Sequence, residues 1–138
     1  MSRLWVAVGL SAALTVAGTV AIAATFSAVG ENDSAATETQ ARIAAVEFFR
    51  SQNERRYDDT CRLLSRGFYK THALRDRQTC TAVMRVAFVW SGKIVFRIGS
   101  VAFEGDRVVV QAVADGAPGR IVFVRENGAL RIVAVQGG

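Results

Sequence analysis

An uncharged, apolar segment at the start of the chain constrains what the rest can become. No charged residue occurs between Leu4 and Gly30. As a helix this stretch would be about 40 Å long, enough to cross a hydrocarbon core of about 30 Å. Arg3 precedes the segment and Glu31 follows it. The positive charge on the N-terminal side predicts that the N-terminus stays in the cytoplasm and that the residues after the segment are exported.

Two fates are open for this segment. Residues 1–30 serve either as a retained transmembrane anchor, which their length favours, or as a signal segment that is removed. Ala21-Ile22-Ala23 has the small-x-small pattern that signal peptidases cut. Retention predicts a single-pass protein of the cell membrane with an extracytoplasmic domain, whereas cleavage near Ala23 predicts a secreted protein.

The 138 residues leave room for one exported domain. Residues 31–36 are predicted to form a linker and residues 37–138 the domain. A domain of about 100 residues lies at the small end of the stable range, where one cross-link contributes noticeably. Because export places the domain in an oxidising compartment, Cys61 and Cys80 are predicted to form a disulfide. Two reduced core cysteines are the alternative if the chain is not exported.

The first half of the domain has helical spacing. Thr37-x-x-Gln40 resembles a capping box, so a helix is predicted to start near Thr37. Apolar residues then recur every three or four positions, which is typical of an amphipathic helix. A second, shorter helix is predicted to follow Tyr57 and to end near Gly67. A third is predicted to begin near Asp76, whose side chain would cap it.

The second half of the domain has the composition of β-strands. Four runs rich in Val, Ile and Phe are separated by turn-prone residues, among them Asn127-Gly128, a strong signal for a hairpin. The predicted fold class is α+β, with about three helices packed on an antiparallel four-stranded sheet. The predicted strands are Lys93 to Glu104, Arg107 to Ala114, Arg120 to Arg125 and Ala129 to Val135.

The order and motifs of these elements resemble a known family. Ala44-Ala45-x-x-Phe48-Phe49, Tyr57-Asp58-Asp59-x-Cys61 and Cys80 resemble the cone-shaped nuclear transport factor 2-like superfamily, which includes ketosteroid-isomerase-like proteins. The likeness is closer to its small, membrane-anchored, extracytoplasmic actinobacterial members. It covers Thr37 to Val135 and implies a curved sheet, a pocket beneath the first helix and paired helical cysteines. It implies no single activity, because the superfamily contains isomerases, dehydratases, binding modules and assembly subunits.

The catalytic groups of such enzymes have no counterpart that the sequence identifies. The enzymes use a buried carboxylate or a His–Asp pair, whereas the acids here are explained as helix caps and turn residues. His72 is the only histidine, which excludes a His-based metal triad, and two cysteines alone do not form a zinc site. No catalytic residue, cofactor or metal is therefore predicted. The candidate pocket residues are Tyr57, Tyr69, His72 and Trp90.

The net charge of +5 comes from arginines that are spread among acids. No RNA-binding aromatic signature or recognition-helix pattern accompanies them, so no nucleic-acid partner is predicted. A basic face on an exported protein more often meets anionic lipid or wall polymer. The candidate basic surface consists of Arg55, Arg56, Arg62, Arg66, Arg75 and Arg77.

Three functions are consistent with these features. The first is a non-catalytic, membrane-anchored extracytoplasmic domain that binds a partner protein or a small apolar ligand, with an accessory or assembly role in the cell envelope. The second is a small isomerase or hydrolase that uses the cone pocket. The third is a basic module that binds anionic lipid or wall polymer. The lack of acid–base groups favours the first, and a homo-oligomer through the sheet face is a further expected association.

Overall fold

The computed structural model describes residues 31–137, with side chains from residue 33 onward. The predicted anchor or signal segment, residues 1–30, lies outside the described residues. Within the described range, no helix is both long and apolar enough to cross a membrane.

The described residues form an α+β domain in which four helices precede a four-stranded sheet. The sheet is an antiparallel meander with the strands in chain order, which confirms the predicted fold class and sheet. The helices are α1 (Glu31–Asn53), α2 (Tyr57–Arg62), α3 (Arg66–Thr71) and α4 (Arg77–Phe88). The strands are β1 (Phe96–Glu104), β2 (Arg107–Ala114), β3 (Ala117–Glu126) and β4 (Ala129–Gly137).

The first helix begins earlier than the sequence predicts. α1 includes residues 31–36, which were predicted to form a linker and contain no Gly or Pro to interrupt the helix. Thr37 therefore lies inside α1 and does not cap it. Its hydroxyl instead accepts a hydrogen bond from the Arg125 guanidinium at 2.8 Å. The capping-box pattern is a local signal and carries no information about this contact with β3.

The predicted second helix is divided into α2 and α3. Between them Leu64 forms a parallel bridge with Ile132 of β4, and the Ser65 amide donates to the Ile132 carbonyl at 2.8 Å. The Ser65 hydroxyl accepts a hydrogen bond from the Phe68 amide at 3.0 Å, which caps α3. The helix predicted to run to Gly67 is interrupted because this segment extends the edge of the sheet.

The predicted disulfide between Cys61 and Cys80 is present and joins α2 to α4. The two Cα atoms are 6.0 Å apart, and both side chains are buried in the core. Asp76 caps α4 as the sequence predicts. Its carboxylate accepts a hydrogen bond from the Thr79 amide at 2.8 Å, and hydrogen bonding from this amide lowers the pKa of Asp76.

β3 begins inside a segment that was predicted to be a longer turn. The turn is limited to Asp115-Gly116, whose φ angles of 52° and 81° suit a type I′ hairpin. β3 therefore starts at Ala117 rather than at Arg120. Ala114 and Ala117 close this hairpin, and the closing pair of such a hairpin is hydrogen-bonded. Because successive residues of a strand point their backbone nitrogens to opposite sides, the nitrogen of the next residue, Pro118, points away from β2. Pro118 lies beyond the pairs between β3 and β4, where its missing N–H removes no ladder bond.

The side of the sheet that faces α1 is filled by packed side chains. Phe48 and Phe49 of α1 are fully buried with Phe123 of β3, and the Phe49 ring stacks on Phe96 at 4.8 Å. Core side chains thus occupy the space in which the resemblance implied a pocket. The polar residues buried within the described part of the chain are Ser51, Gln52, Thr60 and Ser65.

Candidate functional site

Two of the concavities at the surface of the described domain contain residues that the sequence singled out. The first lies between the end of α1, the start of α2 and the segment that joins α4 to β1, and its volume is about 290 Å³. The second is a wider groove of about 590 Å³ over α2, α3 and β4. We call the first the end cavity and the second the arginine groove.

The arginine groove gathers cations from separate parts of the chain. Cys61, Leu64 and Tyr69 contribute to its lining, and the first two are buried. Glu126 is the one carboxylate among the described lining residues, so the lining carries a net positive charge at neutral pH. Its five arginines are Arg62, Arg66, Arg75, Arg77 and Arg131.

Two of these arginines are paired with an acid and three are not. Arg62 lies 2.9 Å from the Asp58 carboxylate, and Arg77 lies 3.3 Å from the same group. Across the described part of the chain, three groove side chains form no ion pair: Arg66, Arg75 and Arg131. Their guanidinium groups can therefore bind an anionic ligand without first breaking an internal ion pair.

Covalent and hydrogen-bonded contacts hold the walls of the groove in place. The disulfide fixes α2 against α4, and the Tyr69 hydroxyl donates to the Cys61 carbonyl at 3.0 Å. Burial raises the pKa of Tyr69, so this hydroxyl keeps its proton at neutral pH. Glu126 accepts a hydrogen bond from the Arg66 backbone amide at 3.1 Å, which joins β3 to the start of α3.

Arg55 and Arg56, which the sequence placed on the same basic surface, lie outside the groove. The Arg56 guanidinium contacts Glu47 at 2.8 Å, Asp59 at 2.6 Å and Glu54 at 2.9 Å. These hydrogen bonds raise the pKa of Arg56. Its charge is therefore already paired with carboxylates of the same domain. Arg55 lines the end cavity instead.

Arg131 and Glu126 are groove residues that the sequence did not identify. Arg131 lies between the buried residues Leu130 and Ile132, so strand alternation predicts that its side chain points away from the core. That signal does not reveal which helices cover the same face. Arg131 lies beside α2 and α3 because Leu64, between these helices, forms a bridge with Ile132, which joins distant parts of the chain.

The end cavity has buried walls and a positive rim. The Asn53 side-chain amide donates to the Ile94 carbonyl at 2.9 Å and accepts from the Ile94 amide at 2.6 Å. These two bonds hold the segment between α4 and β1 against the end of α1. Within the described lining there is no carboxylate. The buried lining residues are Gln52, Tyr57, Phe88 and Ile94, and the exposed ones include Arg55 and Lys93.

The four candidate pocket residues do not come together. Tyr57 lines the end cavity and Tyr69 lines the arginine groove, while His72 follows α3 and lines neither. Trp90 is 92% exposed. It lies in the turn that follows Phe88, the last residue of α4.

His72 gives the domain an expected response to pH. Its ring lies 4.2 Å from that of Phe68, and burial lowers the pKa of His72 below its usual 6.5. Below 6.5 the unfolded chain then binds more protons than the folded chain, so the free energy of unfolding should fall as the pH drops from about 7 to about 5. Urea unfolding across this range measures the effect. His72→Gln should show a smaller pH dependence, and equal slopes would show that His72 is not responsible.

These side chains support anion binding more directly than proton transfer. A guanidinium group donates paired hydrogen bonds to a phosphate or carboxylate and keeps its charge at any physiological pH. Within residues 31–137, no group of three or more His, Cys, Asp or Glu side chains is arranged to hold a metal ion.

Several solved structures are similar to this chain. The chain is similar to a nuclear transport factor 2-like protein from Streptomyces avermitilis, named provisionally as a dehydratase, with a TM-score of 0.56 and 12% identity over 75% of this chain and 96% of that one. It is also similar to a protein from Thiobacillus denitrificans, named provisionally as a calcium/calmodulin-dependent protein kinase type II association domain (TM-score 0.48, 17% identity, 68% and 90% of the two chains). A third similar structure is a de novo designed protein with a curved β-sheet (TM-score 0.47, 15% identity, 70% and 97%).

No protein-family model matches the chain, and no curated protein does. At 12% identity, the likeness to the Streptomyces avermitilis protein establishes the fold alone. The domain therefore has the nuclear transport factor 2-like fold that the sequence motifs predict.

Proposed function

We propose that this chain is a non-catalytic, extracytoplasmic binding domain that is held at the membrane by its N-terminal segment. Its ligand is the phosphate-bearing headgroup of an anionic lipid, bound in the arginine groove, and its role in the cell envelope is an accessory one. The observation that carries this proposal is that three arginines that form no ion pair in the described part of the chain line the same groove. These are Arg66, Arg75 and Arg131.

The groove suits a headgroup in size and in chemistry. Its volume of about 590 Å³ lies within the usual range of ligand sites, about 300–1,000 Å³. Guanidinium groups bind phosphate oxygens in a bidentate manner, and three of them converging from different elements can surround one phosphate. Because the disulfide and the Tyr69 hydrogen bond already order the walls, binding requires ordering of the arginine side chains but little ordering of the backbone.

The groove also lies near the start of α1, which follows the predicted membrane segment directly. Arg125 of β3 contacts Thr37 of α1, and its neighbour Glu126 lines the groove. Thr37 is about 9 Å along the helix from Glu31. With residues 4–30 spanning the membrane, Thr37 would lie within about one Debye length, 8–10 Å, of the headgroups, and the groove would lie beyond it on the same side of the membrane.

The isomerase or hydrolase alternative has less support. Among the described residues no carboxylate or imidazole is fully buried. Tyr57, Tyr69 and His72, the candidate groups for such chemistry, occupy three separate places. The fold itself does not distinguish the two functions, because it hosts both enzymes and binding modules.

Other occupants are competing predictions. An acidic partner protein or an anionic wall polymer would be attracted to the same arginines. A small apolar ligand fits less well, since core side chains fill the space between α1 and the sheet. Association of two copies through the sheet face is a separate prediction, which lipid binding in the groove does not require.

Lipid binding can be measured by calorimetry on the full chain in neutral detergent. We expect soluble dioctanoyl phosphatidylglycerol to bind and dioctanoyl phosphatidylcholine to bind far more weakly, because only the first carries a net negative charge. The triple variant R66Q/R75Q/R131Q should bind phosphatidylglycerol at least about tenfold more weakly, since a hydrogen bond to a charged group contributes about 1.5–3 kcal/mol.

A second triple variant, R85Q/R97Q/R107Q, removes the same charge from exposed positions outside the groove. Its affinity for phosphatidylglycerol should stay within about twofold of the unmodified chain, because screening weakens distant charges. Equal losses in the two triple variants would indicate general charge attraction and contradict the proposal. Equal binding of both lipids would do so as well, and tighter binding of polyglutamate than of lipid would favour an acidic protein partner.

A further inference from the structure

A buried glutamine in the end cavity lacks part of its hydrogen bonding. Gln52 is 5% exposed, and its Nε2 donates to the Phe48 carbonyl at 2.9 Å. A carbonyl oxygen can only accept, so this bond determines which way the amide points. Its Oε1 is buried and has no hydrogen-bond donor within the described part of the chain. Since buried polar atoms are nearly always paired, a ligand that donates a hydrogen bond would complete this one.

The other buried walls resemble those of small-molecule sites. Tyr57 is 5% exposed and contributes an aromatic ring to the wall. Phe88 and Ile94 add buried apolar surface. A few polar groups between apolar walls orient a ligand while the walls exclude water. The cavity of about 290 Å³ has room for on the order of ten non-hydrogen atoms, at ~30 Å³ for each water-sized unit.

Arg55 occupies a backbone position in which glycine would be less strained. Its φ is 59°. Its amide donates to the Gln52 carbonyl at 3.0 Å and the Arg56 amide to the Ser51 carbonyl at 2.7 Å, which is the Schellman arrangement that usually places glycine at this position. Strained residues of this kind concentrate at functional sites. The side chain that accompanies this strain lines the end cavity.

The rim of the cavity is positive and has no acid opposite it. Arg55 and Lys93 are exposed, and in the part of the chain that the structure describes neither forms an ion pair. The segment that carries Lys93 is held by the two hydrogen bonds between Asn53 and Ile94. An anion entering the cavity would therefore meet two cations that extend from a backbone held in place.

We propose that the end cavity is a second ligand site, which takes a small carboxylate that also carries a hydroxyl or amino group. The carboxylate would contact Arg55 and Lys93, and the hydroxyl or amino group would donate to Oε1 of Gln52. All of its described lining comes from α1, α2, α4 and the segments after α1 and α4. The site is therefore separate from the arginine groove and does not depend on lipid binding there.

The test uses glycerate, with propionate and glycerol as matched probes that lack the hydroxyls and the carboxylate respectively. Each is titrated into the full chain, labelled with nitrogen-15, in neutral detergent, and the signals of the Gln52 side-chain amide and the Gly92 backbone amide are followed by NMR. We expect saturable shifts with glycerate at an affinity at least about tenfold above that for propionate, and no saturation with glycerol. Absence of saturation with glycerate, or equal affinity for glycerate and propionate, would overturn the proposal.

Two variants locate the site. Q52M removes the acceptor while keeping an unbranched side chain of similar length, and it should weaken glycerate binding about tenfold and leave propionate binding unchanged. R55G relieves the positive φ and removes the cation. A73G is its control, because Ala73 also has a positive φ, of 54°, and lies outside the described lining of the cavity.

Both glycine variants should raise the midpoint of thermal unfolding, and only R55G should weaken glycerate binding. The same unfolding scan shows that each variant is folded when its affinity is measured. Unchanged glycerate affinity in Q52M or in R55G would contradict the proposed contacts.

Discussion

Phe49→Ala is expected to lower the free energy of unfolding by about 3–5 kcal/mol, which is typical of removing a buried aromatic ring. Phe49 is fully buried. Its ring stacks on Phe96 of β1 at 4.8 Å and meets Phe48 edge-on at 5.3 Å. The substitution therefore leaves a cavity where α1 packs on the sheet. Urea unfolding of the full chain in neutral detergent, followed by far-ultraviolet circular dichroism, measures the loss.

Ile43→Ala is the matched control on the same helix. Ile43 is 64% exposed, so removing its side chain should change the free energy of unfolding by no more than about 0.5 kcal/mol. A loss of less than about 1 kcal/mol in the free energy of unfolding for Phe49→Ala would contradict the described packing of this ring, because removing a buried phenylalanine side chain usually costs more.

The double substitution C61A/C80A is expected to cost about 3 kcal/mol, within a usual range of 2–5 kcal/mol for a small secreted domain. The disulfide closes a loop with a sequence separation of 19, so breaking it gives the unfolded chain more conformational freedom. The same urea experiment measures this effect. Equal stability of the double variant and the unmodified chain would show that the cross-link does not restrict the unfolded state.

Chemical reduction provides an independent control for the disulfide. Reduced, unmodified chain should unfold at nearly the same urea concentration as the double variant, because both lack the cross-link and keep similar core volume. A large difference would show that the alanine substitutions act through packing rather than through chain entropy.

The disulfide also bears on both proposed sites, because it holds α4. Arg77 at the start of α4 lines the arginine groove, and Phe88 at its end lines the end cavity. Cys80 ties this helix to α2. The double variant should therefore bind phosphatidylglycerol more weakly even under conditions in which it remains folded, since Arg75 and Arg77 would lose their fixed position relative to Arg62.

The sequence by itself determined those features that depend on local chemistry. Asn127-Gly128 predicts a hairpin because both residues accept positive φ, and their angles are 53° and 81°. Asp76 predicts a helix start because its side chain can accept from a free amide two or three positions later. The α+β order, the four-stranded meander and the pairing of the two cysteines follow from periodicity, turn residues and the argument from export.

The tertiary structure alone decided what depends on contacts between distant residues. The helix break at Leu64 requires Ile132 of β4 as its partner, and Arg131 joins Arg66 at one groove only because that contact forms. The Gln52 side-chain oxygen is buried without a hydrogen-bond donor because α4 and the following segment pack against the end of α1, which the sequence does not indicate. Sequence periodicity gives the face on which a side chain lies, whereas packing determines what that face meets.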